Sequence, residues 1–331
     1  MDKPGAQVSQ ILESLHPYMT RVERLIVDAL KTDIGLLDIT NKSIRERPGK
    51  MLRPILAILS AGAAGGINDD TLRFAAAAEL LHNATLLHDD VVDGATQRRG
   101  APTVASLLDG RAAVLVGDFW LVKCMQVVLS ADKSTDRVIR IFSKTLSDLA
   151  EGELLQMEKA SKGDTTEAEY LRIIYCKTAS LFETAVVSAA VSAQASDAVT
   201  DALRNYAVNL GIAFQVKDDI FDYESSSGDL GKPVGIDLLE QKITLPLLCA
   251  LESVTPEEAS VVRRKVASIA VNPALATEVR AFVFAHDGVD KASKKLQFYI
   301  EKAISCLEIL SDSPEKLYLA SLARYVGDRN V

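Results

Sequence analysis

Cysteine is scarce and scattered. The four residues at 124, 176, 249 and 306 have no CxxC spacing, which argues against a zinc scaffold or a disulfide framework and for free thiols in a reducing, cytoplasmic setting. No run of 18 apolar residues occurs, so no membrane span is expected. The first residues, MDKPGAQVSQ, lack the apolar core of a secretion signal. Positive charge does not dominate either: the net charge is -8, so no nucleic-acid partner is expected, because a phosphate backbone attracts basic surfaces. Alternating strand patterns are rare, and residues 103–232 contain no proline, which suits long helices.

What is present is helical periodicity. Ile11, Leu12, Leu15, Met19, Val22, Leu25, Ile26 and Leu30 build one apolar face. TEAE (166–169) and TPEE (255–258) have the spacing of a capping box, the second with proline at the first helical position. SPEK (313–316) opens a last helix that ends near ARYVGDR, Gly94 is placed to stop a helix, and RERPGK (45–50), GATQRRGAP (94–102) and residues 224–237 are expected as turns or loops. No linker divides the chain. The expectation is one all-α domain over 1–331 with ten to twelve helices.

Residues 88–100, HDDVVDGATQRRG, gather three aspartates and then two arginines. Asp89, Asp90 and Asp93 form DDxxD, which on a helix places Asp89 and Asp93 one turn apart on one face. The pattern recurs as Asp218, Asp219 and Asp222 in KDDIFDY. Each copy adjoins apolar residues, where carboxylates are costly unless a cation compensates. The two copies are expected to form two walls of one cavity. Hard oxygen ligands suit magnesium, which binds through one or two carboxylates plus substrate phosphates; the ligand sets of a zinc site are missing. The chemistry points to a diphosphate held by bridging magnesium. Basic residues beside glycine and proline, Lys50, Arg53, Arg98, Arg99, Lys232 and Lys242, are suited to the phosphates.

ELLHNATLLHDDVVDGATQRRGAPT and GIAFQVKDDIFDYESSSGDLGKPVGIDLLEQKITLPLL, with GKMLRP, LVGDFW, EGELLQ and KTASLF, resemble the trans-type isoprenyl diphosphate synthases, the polyprenyl synthetase family. The resemblance implies the isoprenoid synthase fold, antiparallel helices around a deep central cavity, and a homodimer. It implies head-to-tail condensation of isopentenyl diphosphate onto an allylic diphosphate, with about three magnesium ions bridging the latter. By that pattern the six aspartates bind magnesium. Lys50, Arg53, His82 and Arg99 hold isopentenyl diphosphate, and Arg98, Lys177 and Lys232 hold the allylic diphosphate. Lys242 takes the second lysine position, and Thr178 and Gln215 line the reacting centre. Without the resemblance, His82 reads as an ordinary histidine on an apolar helix, and Tyr170 and Tyr175 read as core.

The fifth and fourth residues before Asp89 are Ala84 and Thr85, one helical turn, about 5.4 Å, from the metals. Short-chain members of the family commonly carry aromatic residues there. Small side chains imply an open tunnel and a product of C30 to C50, which is oily enough for weak membrane association. Three rivals remain beside this reading. They are a farnesyl or geranylgeranyl diphosphate synthase of the same family, an inactive regulatory subunit of a heteromeric prenyltransferase, and an acidic helical interaction protein.

Overall fold

The structure, a computed structural model, describes residues 4–46, 49–98, 100–224 and 235–328. In chain order the helices are α1 (Pro4–Ala29), α2 (Gly35–Arg45), α3 (Leu52–Ala64) and α4 (Asp69–Val92). A hairpin of two-residue strands follows, β1 (Gln97–Arg98) and β2 (Ala101–Pro102), then α5 (Val104–Leu107), α6 (Gly110–Leu129), α7 (Thr135–Lys162) and α8 (Glu167–Ile174). A π-helical turn, Tyr175–Ala179, leads into α9 (Ser180–Ser192) and α10 (Asp197–Glu224). The remainder comprises α11 (Ile236–Leu239), α12 (Leu245–Leu251), α13 (Pro256–Ala267), α14 (Leu275–Ala285), α15 (Gly288–Cys306) and α16 (Pro314–Asp328).

The all-α expectation therefore holds, with one correction in number: sixteen α-helical segments occur among the described residues. The surplus is in short pieces such as α5, α11 and α12, too brief to show a helical period in sequence. The capping boxes form as read: Thr166 with Glu169 opens α8, and Thr255 with Glu258 opens α13 with Pro256 at its start. Gly94, at φ 61°, follows the end of α4. The loop expected over 94–102 carries the small hairpin, with Arg98 paired to Ala101. Of the loop expected over 224–237, Glu224 ends α10 and Ile236 and Asp237 open α11, while residues 225–234 lie outside the described residues.

The chain divides into two compact units. The first comprises Met1–Ser143, Thr184–Arg204 and Ile309–Leu319. Here α4 packs most extensively on α6 and also contacts α3 and α1. Leu15, Val22, Ile26 and Leu30 are buried, which realises the apolar stripe; the side chains of Ile11 and Leu12 lie outside the described residues. Every residue of α3 from Pro54 to Ala61 is buried. The contact of α4 with α6 depends on Gly117, where a β-carbon would sit 2.4 Å from the His88 ring. Trp120 on α6 donates its indole N–H to Asn41 Oδ1 at 2.8 Å, and Asn41 in turn donates to the Leu30 carbonyl at 3.0 Å. That satisfied buried pair ties α2 to α6.

The second unit comprises Lys144–Glu183, Asn205–Glu308 and Ala320–Val331. Here α12 packs on α15, with α13, α14 and α8 around them. Two helical stretches are long and apolar enough to cross a membrane by length and composition alone: 110–129, with a window of mean hydropathy 1.7, and 167–192, with a window of mean hydropathy 1.2. The apolar window of the latter is mostly buried in the protein, as in a core helix.

Candidate functional site

Both aspartate motifs occupy the last turns of long helices. Asp89 and Asp90 lie in the final turn of α4 and Asp93 caps it, its N–H donating to the Asp89 carbonyl at 2.8 Å. The turn persists through the cap, so the four-residue spacing of Asp89 and Asp93 is kept. Asp218, Asp219 and Asp222 lie in the last two turns of α10. A helix C-terminus carries partial negative charge and disfavours carboxylates by about 0.3–1 kcal/mol each. Acidic clusters placed there call for cations. One is supplied at α10, where Arg280 Nε donates to the Tyr223 carbonyl at 3.0 Å.

In the first unit, Asp90 is buried and accepts a 2.6 Å hydrogen bond from Arg98 Nε. The hairpin holds Arg98 in place, closed by the Thr103 N–H donating to the Thr96 carbonyl at 3.1 Å. Asp89 is half-buried and Asp93 exposed. The Asp90–Arg98 pair lines a largely apolar cavity of about 230 Å³ bordered by Ile39, Ile44, Leu86 and Leu107. Lys50 lies on the α2–α3 connection, Arg53 is the second residue of α3, and His82 is half-buried on α4. None of these three lines that cavity. Arg99 lies outside the described residues.

Ala84 and Thr85 do not share a face. Val91, His88 and Leu81 mark the stripe of α4 that meets α6: a β-carbon at Gly110 would touch Val91, one at Gly117 would meet His88, and Leu81 backbone bonds the Cys124 thiol. Helical geometry puts Ala84 on this stripe and Thr85 with Asp89. Ala84 is 1% exposed. Thr85 is half-buried and its hydroxyl donates to the His82 carbonyl at 2.8 Å.

The second unit holds a denser polar centre. A cavity of about 150 Å³ is lined by Tyr170, Lys177, Gln215, Asp219, Asp237 and Lys242, among others. It thus gathers Lys177, Gln215, Asp219 and Lys242 of the residues expected from sequence; Lys232 lies outside the described residues. Lys177 pairs with Glu153 at 2.7 Å, and Lys242 pairs with Glu240. Thr178 Oγ donates to Gln215 Oε1 at 2.8 Å, Gln215 Nε2 donates to Asp219 Oδ1 at 2.9 Å, and the Tyr170 hydroxyl donates to Asp219 Oδ2 at 2.6 Å.

Lys177 and Thr178 sit in the π-turn, a wider turn often found at functional positions. Two glycines make room for it. A β-carbon on Gly152 of α7 would lie 2.5 Å from Cys176 Cβ, and one on Gly211 of α10 would lie 2.5 Å from Ala179 Cα. These glycines belong to the EGELLQ and GIAFQ stretches singled out in sequence, and close backbone approach explains them.

Burial pushes the Asp219 carboxyl up to about 8, with nearby Asp237 adding and the bonds from Tyr170 and Gln215 opposing. Asp222 is raised by burial, opposed by backbone N–H donors from Asp237 and Ile236 at 3.1 and 3.0 Å. Those bonds draw the start of α11 to α10, and Asp237 is pushed up to about 6 by burial and by Asp222. A bound cation would reverse this crowding of acids. Among the described residues no group of three or more His, Cys, Asp or Glu side chains forms a ready-made metal cage. The carboxylate oxygens present are hard donors of the kind magnesium takes, with phosphate oxygens and water completing its shell.

The sequence reading gave no functional role to Tyr170, Glu153 or Asp237. Tyr170 was expected as core and is 3% exposed, but its hydroxyl has a carboxylate partner, as a buried tyrosine requires. Tyr175, also expected as core, is half-buried and donates to Glu183 at 2.9 Å.

The sequence profile of the polyprenyl synthetase family matches residues 36–281. The chain is 36% identical over 323 residues to the octaprenyl diphosphate synthase of Haemophilus influenzae, covering 98% of this chain and 97% of the relative. It is 37% identical over 309 residues to a geranyl-diphosphate-specific all-trans-nonaprenyl-diphosphate synthase of Rhodobacter capsulatus, covering 93% and 94%. A polyprenyl synthase of Caulobacter crescentus, solved with calcium and isoprenyl diphosphate, superposes with a TM-score of 0.89 at 34% identity, covering 98% of each chain. The chain has the all-α isoprenoid synthase fold, belongs to the polyprenyl synthetase family, and is a prenyl-transferring enzyme.

Proposed function

We propose that this protein is a magnesium-dependent, long-chain polyprenyl diphosphate synthase. It condenses isopentenyl diphosphate head-to-tail onto farnesyl or geranylgeranyl diphosphate and stops between C30 and C50. The observation that carries the reading is the placement of both aspartate motifs at helix C-termini, where a carboxylate cluster needs cations. The octaprenyl and nonaprenyl names of the relatives and the small side chain of Thr85, on the face of Asp89, support the long product.

Magnesium, when bound, supplies Lewis-acid stabilisation of the departing diphosphate. Asp89, Asp93, Asp218 and Asp222 would hold it, while Asp90 and Asp219 are anchored by hydrogen bonds from Arg98 and Tyr170. Arg98, Lys177 and Lys232 hold the allylic diphosphate, with Lys242 nearby. Lys50, Arg53, His82 and Arg99 hold isopentenyl diphosphate. Loss of diphosphate leaves an allylic cation, which the oxygen dipoles of Thr178 and Gln215 stabilise without forming a bond. The isopentenyl double bond attacks that cation, and the released diphosphate takes the proton then lost.

We also place the enzyme in the cytoplasm, in keeping with four free cysteines, and at most in weak association with membrane. A homodimer is supported by Leu115, Val122 and Leu129, which repeat every seven residues on α6 and are 68%, 53% and 59% exposed. The test of function is to incubate the purified chain with magnesium, farnesyl diphosphate and labelled isopentenyl diphosphate, then size the dephosphorylated products. A ladder ending between C30 and C50, abolished by a chelator, is expected. A stop at C15 or C20 refutes the long product, and no extension of any primer refutes the synthase.

A further inference from the structure

We propose that Tyr170 and Asp219 are positioning residues for the reacting centre: together they fix the Gln215 amide, and through it the Thr178 hydroxyl, in one orientation. The inference rests on the prenyltransferase reading above and assigns work to two side chains that act through Gln215.

The argument is one of hydrogen-bond polarity. Asp219 is 2% exposed, and both its oxygens accept: Oδ2 from the Tyr170 hydroxyl at 2.6 Å and Oδ1 from Gln215 Nε2 at 2.9 Å. An amide has a donor end and an acceptor end. With its donor end turned to Asp219, Gln215 presents Oε1 to Thr178, whose hydroxyl donates there at 2.8 Å. The only proton of Thr178 is thereby used, and its remaining lone-pair density faces away from Gln215. That is the sign of dipole a developing carbocation needs. In the flipped amide, Nε2 would donate to Thr178 and the hydroxyl proton would point outward, with the opposite sign.

Tyr170 makes this choice durable. It is 3% exposed, on α8, whose first turn is fixed by the Thr166–Glu169 capping box. Its hydroxyl holds one carboxylate oxygen and so sets the angle at which the other meets Gln215. In a phenylalanine variant Asp219 keeps its place on α10 but loses the partner that fixes its rotation.

The measurement is a double-mutant cycle on condensation, using Tyr170→Phe, Gln215→Ala and the double variant, with thermal melts alongside. Because the oriented dipole acts on the transition state, Tyr170→Phe should lower kcat by about tenfold or more and move KM for either diphosphate by less than about twofold. In the Gln215→Ala background it should cause no further loss. An equal loss in both backgrounds, or a kcat unchanged by Tyr170→Phe alone, overturns the proposal. Asp219→Asn is the second variant, for the case in which Tyr170→Phe does not fold. At saturating magnesium its kcat should fall as far as that of Gln215→Ala, and restoration by excess magnesium overturns the positioning role. A wild-type chain that extends no primer overturns the function itself, an outcome distinct from an active wild type whose variants fail the cycle.

Discussion

Gly211→Ala tests whether the π-turn depends on close helix packing. The added β-carbon would meet Ala179 Cα at 2.5 Å and Ala179 Cβ at 2.7 Å. Ordinary carbon contacts lie at about 3.5–4.0 Å, so α10 and the turn must separate by roughly 1 Å. The obstacle is backbone, which cannot swing aside as a flexible side chain can. Overpacking of this kind costs about 1–3 kcal/mol. Replacing a mid-helix glycine returns about 1 kcal/mol of propensity, so the net effect is a loss of up to about 2 kcal/mol. At about 2–4 °C per kcal/mol for larger domains, the melting temperature should fall by several degrees. The same separation would stretch the 2.8 Å Thr178–Gln215 bond beyond hydrogen-bond range, so kcat should fall with it. Scanning calorimetry and steady-state kinetics read the two effects, with Gly35→Ala as control because nothing lies within 4 Å of its β-carbon position. A Gly211→Ala protein that melts at or above wild type with full kcat would refute the packing argument.

Thr85→Phe should shorten the product toward C15–C20, since Thr85 shares the face of Asp89; an unchanged ladder would place the tunnel elsewhere. Ala84→Phe should instead act first on stability, because Ala84 is 1% exposed on the stripe facing α6. Leu115→Asp should convert a dimer to a monomer in analytical ultracentrifugation, and a dimer that survives it would move the interface off α6. Glu169 is held down from 4.5 to about 2, first by the Lys159 ammonium at 2.6 Å and then by the Thr166 N–H. Its folded value is depressed, so its contribution is complete above pH 4.5 and is lost as pH falls toward 2. Glu169→Gln should therefore be less stable than wild type at neutral pH, with the gap closing on acidification; a gap in urea midpoints that is constant with pH would contradict this.

The spacing of the motifs was legible in sequence because its signals are local. Asp89 and Asp93 are neighbours by helical geometry alone, and a capping box such as Thr166–Glu169 spans four residues. The helix class followed from periodicity, which needs only a window of residues. The sequence also determined which residue types were available: oxygen donors and basic side chains, without the ligands of a zinc site.

Only the tertiary structure decided which partners those side chains take. Tyr170 and Asp219 are 49 residues apart, and Thr178 and Gln215 are 37 apart; no local pattern links them, so the chain from Tyr170 to Thr178 could not be read in advance. The π-turn escaped for a related reason: the composition of YCKTA does not encode its width, which depends on the room left by Gly152 and Gly211 on two other helices. Ala84 and Thr85 look equivalent as adjacent small residues. Helix packing separates them, because a step of about 100° around α4 turns one into the contact with α6 and leaves the other beside Asp89.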